Sequence, residues 1–102
     1  MEEMIIVRLN PVELNQEVYI MSNNVEMVPL IHRCTIEELP SVIAMSAAKH
    51  NIHYVKLAGS KPYTEEIRNR VTEKINICFG KDNDFIIELM WIKGDKGYGI
   101  FN

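Results

Sequence analysis

Two spacings alternate along the chain. Short apolar runs mark strands, and longer segments with apolar residues three and four apart mark helices. Met4 to Leu9 is an Ile- and Val-rich run, interrupted only by Arg8, that predicts a strand buried on both faces. Asn10 and Pro11 end it, because proline has no amide to give to a ladder. Val18 to Met21 predicts a second strand, with Tyr19 and Met21 on one face and Val18 and Ile20 on the other. Asn23 and Asn24 suit the tight turn that follows. Val25 to Cys34 predicts a third strand, and Pro29 in its middle points to an edge or a bulge.

The beat then changes. Thr35 and Glu38 have the spacing of a capping box, so a helix is expected from Thr35, with Ile36, Leu39, Ile43, Ala47 and His50 as its stripe. Pro40 is expected to kink it or to lie where an amide is dispensable. Ile52 to Ala58 alternates His53, Val55 and Leu57 against Tyr54, Lys56 and Ala58, which predicts a strand. Gly59 and Ser60 lead into a second helix over Lys61 to Ile77. Ser60 suits its cap, Pro62 its first turn, and Tyr63, Ile67, Val71, Ile75 and Cys78 its buried stripe. Gly80 ends it, and Phe85 to Ile92 predicts the last strand. Residues 94–102 read as a loose tail or a short hairpin arm.

The element order is therefore βββαβαβ. Three consecutive strands favour antiparallel hairpins, and two helical crossovers favour parallel strands. The expectation is one α/β domain over residues 1–102 with a single mixed five-stranded sheet. From about Met4 to Ile92 this order resembles the ribonuclease H-like fold, in which the third strand is an edge. A ferredoxin-like sandwich is the alternative.

That resemblance implies a test of chemistry. Ribonuclease H-like nucleases hold two metal ions on acidic residues, one of them in the middle of the first strand. Here the first strand offers Arg8 and Asn10, and the fourth offers Lys56. Glu2 and Glu3 precede the first strand, and Glu88 stands alone in the last, where an edge-blunting charge is the plain reading. One carboxylate cannot hold two hard cations, so no metal or cofactor is expected.

Composition narrows the function classes further. The chain has 102 residues, 47% hydrophobic and 25% charged, with a net charge of −3, which makes nucleic acid an unlikely partner. Its longest uncharged stretch, Leu39 to Ala48, is too short to cross a bilayer. Cys34 and Cys78 are expected to be reduced, packed thiols in a cytoplasmic protein. Fourteen Ile against six Leu, with nine Asn, fit an AT-rich genome such as that of a low-GC bacterium or its phage.

No catalytic pattern emerges from the remaining side chains. His50 and His53 lack zinc spacing, and Ser46 sits among alanines. His32 and Cys34 share a strand face but lack an acid partner. Tyr19, Tyr54 and Trp91 could share one sheet face, but Glu17, Glu26 and Glu88 beside them would repel phosphate, so a core or a protein interface suits them better. Gly59, Ser60 and Lys61 form the one suggestive turn. It joins a strand end to a helix start, where anions bind, or it serves as a plain capped turn.

The functional expectation is a non-enzymatic protein-binding or self-associating module, encoded in a phage or mobile element. The alternative is a binder of a small anionic ligand or nucleotide at Gly59–Lys61. A nucleic-acid-associated domain without nuclease activity ranks third.

Overall fold

A computed structural model describes residues 3–21 and 32–91. Residues 1–2, 22–31 and 92–102, among them Glu2, the expected Asn23–Asn24 turn, Pro29 and the glycine-rich tail, lie outside the described residues.

Strand β1 (Met4–Arg8) lies in the middle of the sheet, antiparallel to β2 (Asn15–Met21) and parallel to β4 (Tyr54–Gly59). β3 (His32–Thr35) pairs antiparallel with β2 at one edge, and β5 (Ile86–Trp91) pairs parallel with β4 at the other. The order is β3-β2-β1-β4-β5, one mixed five-stranded sheet. Helix α1 (Leu39–His50) joins β3 to β4, and α2 (Lys61–Phe79) joins β4 to β5. The order βββαβαβ differs from the βαββαβ order of a ferredoxin-like sheet.

Both helices pack on one face. Ile5, Val7, Val18, Ile20, Val55 and Leu57 point to that face and meet Leu39, Ile43 and Ala47 of α1 and Ile67, Val71 and Ile75 of α2. The alternating burial of β1 and β2 follows from this one-sided cover. It corrects the expectation that β1 is buried twice over. Ile5 and Val7 are fully buried, but Met4 and Ile6, on the other face, are only partly so, because no described helix covers them.

The capping box forms as expected. The Thr35 amide donates to Glu38 Oε1 at 3.1 Å, and the Glu38 amide donates to Thr35 Oγ1 at 3.3 Å. It closes a turn over residues 36–38, however, and α1 starts only at Leu39. Pro40 therefore lies in the first turn, where a missing amide costs little, and no kink is needed. His50 is exposed rather than part of the stripe, since it sits in the last turn just before Asn51. Asn51 adopts the left-handed conformation (φ 55°) that ends a helix, with its amide donating to the Ala47 carbonyl.

α2 runs two residues beyond its expected end. Thr64, Ile67, Val71 and Ile75 form its buried stripe. Cys78 is exposed, which corrects its place in that stripe. Phe79 takes the inward role instead, its ring 4.7 Å from that of Phe85 and 6.0 Å from that of His53.

Candidate functional site

The Gly59–Lys61 turn stands at the carboxyl end of β4, between β1 and β5. Its glycine is there for space, not for backbone freedom. A Cβ on Gly59 would stand 2.6 Å from Thr64 Oγ1, 3.1 Å from Leu9 Cβ and 3.3 Å from the Leu9 carbonyl oxygen. The chain must pass this close because the Leu9 amide donates to the Ala58 carbonyl at 2.8 Å, extending the β1–β4 ladder. Thr64 is fully buried beneath the turn, and its hydroxyl has no hydrogen-bond partner among the described residues.

Ser60 occupies the cap position with extended backbone (φ −71°, ψ 149°), but its hydroxyl makes no capping bond. Its carbonyl accepts from the Thr64 amide at 2.9 Å. Pro62 lacks one of the amides an anion would use at this helix start. Lys61 is exposed, and its ammonium lies 5.9 Å from the centre of the Trp91 ring. The structure thus brings Gly59, Ser60 and Lys61 together, with Trp91 as a neighbour that sequence spacing did not signal.

A second cluster lies at the opposite end of the parallel strands. His53 Nδ1 and Asp84 Oδ1 are 2.5 Å apart, and the His53 ring stacks on Phe85 with centroids at 4.5 Å. A depression of about 500 Å³ adjoins them, lined also by Glu3, Asn51 and Ile86. An imidazole held by a carboxylate has the parts of a base and its orienter. Among the described residues no serine, threonine or cysteine lines that depression. The parallel register that sets Tyr54 beside Ile86 makes His53 a neighbour of residues 84 and 85, and nothing in the local sequence around Asp84 marks this pairing.

Two polar clusters lie on the sheet face opposite the helices. Glu17 accepts from Tyr19 Oη and from Arg33, each at 2.9 Å, and lies 3.9 Å from Arg8. Glu88 takes a hydrogen bond from Tyr54 Oη and an ion pair from Lys56 at 3.7 Å. Glu88 is thus on an edge strand, as expected, but it is paired. Arg8, the last residue of β1, and Lys56 in β4 each face a glutamate across the ladder. Among the described residues no three His, Cys, Asp or Glu side chains gather to hold a metal ion.

Between these charges lie Met4, Ile6, Met21 and Met90, each partly buried, and Ile86, which is 52% exposed. Tyr19 and Tyr54 share this face. Trp91 does not, since it alternates with Met90 and points to the helix side.

Cys34 is buried on the helix side of β3, and burial, reinforced by the Glu38 carboxylate, pushes its thiol up to about 11. A thiol so held stays protonated at neutral pH and is a poor nucleophile. Its expected pairing with the His32 side chain lies outside the described part of the structure.

No described helix is long and apolar enough to cross a membrane. The sequence matches no family model and no curated protein.

Proposed function

We propose that the chain is a non-enzymatic cytoplasmic module that works by binding protein, either a partner or a second copy of itself, through the sheet. The observation that supports this most is the one-sided cover. With both helices on one face, five apolar side chains and two tyrosines remain on the other without a described element over them. Monomeric proteins seldom leave a large apolar patch open unless it meets something. The mixture of Met, Tyr and aliphatic side chains suits adaptable protein contact. The same face suits nucleic acid poorly, because Arg8, Arg33 and Lys56 are drawn onto Glu17 and Glu88.

Site-specific photocrosslinking in cells of the native host tests this reading. A crosslinker at Ile86, on the open face, is compared with one at Ile77, an equally apolar and more exposed residue of α2. Discrete protein adducts from position 86 and none from position 77 are expected. Adducts from neither position, or from both alike, overturn the reading.

A further inference from the structure

We propose that two copies of the chain associate through β5, antiparallel about a two-fold axis at Leu89, to form one continuous sheet. This rests on the protein-binding reading above and names the partner as a second copy.

The two edges of the sheet differ in what they offer. The described part of β3, His32–Thr35, carries Arg33, a charge of the kind that blunts an edge. Among the described residues of β5, Ile86–Trp91, Glu88 is the one charge, and no described strand lies beyond it. The Ile86 amide donates toward β4, to the His53 carbonyl at 2.9 Å. Successive residues of a strand direct their backbone groups to alternate sides, so Ile87, Leu89 and Trp91 aim theirs outward.

An antiparallel copy centred on Leu89 matches all three. Leu89 faces Leu89 of the second copy, and Ile87 faces its Trp91. Each such pair exchanges both backbone bonds. Centring on Glu88 instead would set two carboxylates directly opposite, a repulsive pairing. The Leu89-centred register sets Glu88 opposite Met90.

The helix side of β5 supplies an independent observation. The inward residues of β4, Val55 and Leu57, are fully buried, whereas Ile87, Leu89 and Trp91 on β5 are only half-buried. A depression of about 340 Å³ lies beside Ile87, lined also by Arg68, Thr72 and Asn76 of α2 and by Phe85. In the Leu89-centred register, Trp91 of the second copy stands next to Ile87 on that face, with its ring over the depression. Aromatic residues set against β-branched ones are among the stabilising cross-strand pairs.

Light scattering on the full chain across concentration tests the proposal. The mass is expected to rise from 11.8 kDa to twice that value. Met90→Glu sets a carboxylate against Glu88 twice per dimer and is expected to raise the dissociation constant about tenfold. Met90→Lys is expected to lower it, and adding Glu88→Lys to Met90→Glu to restore association. Amide hydrogen exchange needs no variant. The amides of Ile87, Leu89 and Trp91 should slow as concentration rises, while those of Ile86, Glu88 and Met90 stay as they were. A chain that remains monomeric at millimolar concentration overturns the proposal and leaves the broader protein-binding reading standing. So does a dimer that responds alike to both Met90 variants or slows no outward amide of β5.

Discussion

The two faces of the sheet are built from alternate residues of the same strands, yet they follow different rules. On the helix side, Ile5, Val7, Val18, Val55 and Leu57 are closed to solvent and almost wholly aliphatic. On the other side, the residues between them alternate charge, aromatic ring and methionine, and the charges pair within the face. One face therefore holds the molecule together by exclusion of water. The other adds little to that, because exposed ion pairs contribute at most about 1 kcal/mol each. The difference teaches where function has room. A face that is not needed for stability is free to carry recognition.

The sharpest way to break this comparison is to shorten one residue on each side. Leu57→Ala opens a void in the closed face and is expected to lose about 2–5 kcal/mol of stability. Ile6→Ala, one strand away on the open face, is expected to lose roughly 1 kcal/mol, because less of its surface leaves water on folding. Urea unfolding followed by circular dichroism measures both. Equal losses would mean that the second face is also a core.

The next largest effect belongs to the closed face alone. Gly59→Ala drives a methyl into Thr64 Oγ1 and Leu9 and is expected to lose about 1–3 kcal/mol. Thr64→Val removes a buried hydroxyl that has no described partner and is expected to leave stability unchanged or raise it by about 1 kcal/mol. Thermal unfolding of the two variants reads the signs directly.

The two cysteines sharpen the contrast chemically. At pH 8.5 iodoacetamide should label exposed Cys78 readily and buried Cys34 only when the chain unfolds, as mass spectrometry of the tryptic peptides would show. The linkage has a definite sign. The folded thiol of Cys34 holds its proton to about 11 against an ordinary value of 9.0. Its contribution to stability is thus fully present below pH 9 and is lost as pH rises from 9 toward 11. Cys34→Ala should flatten that part of the stability curve.

Much of this architecture is legible in the residue pattern. The apolar beat finds both helices and the strands in their observed order, although β2 starts three residues before its expected start and only the end of the expected third strand lies within the described residues, and the alternation in residues 18–21 and 53–58 assigns their faces correctly. Local rules stop being enough where long-range packing decides. The Thr35–Glu38 box is made, yet the helix waits for Pro40, because a proline that cannot donate suits a helix start better than its interior. Cys78 keeps helical spacing but is left outside as Phe79 turns in toward His53 and Phe85. The site is less legible than the fold. Gly59, Ser60 and Lys61 can be picked out as a turn, but the crowding of Gly59 by Leu9 arises only once β1 and β4 lie side by side. The pairing of His53 with Asp84 arises from the same parallel register one strand further on.

The central position of β1 also bears on how the molecule is made. Its β2 neighbour follows within a few residues, but its β4 neighbour waits for the whole of β3 and α1 to leave the ribosome. Until then the middle of the future sheet is a bare rim, with the backbone groups of Ile5, Val7 and Leu9 on offer to any extended segment nearby. Nascent chains stalled before residue 54 should therefore be the ones most in need of a chaperone.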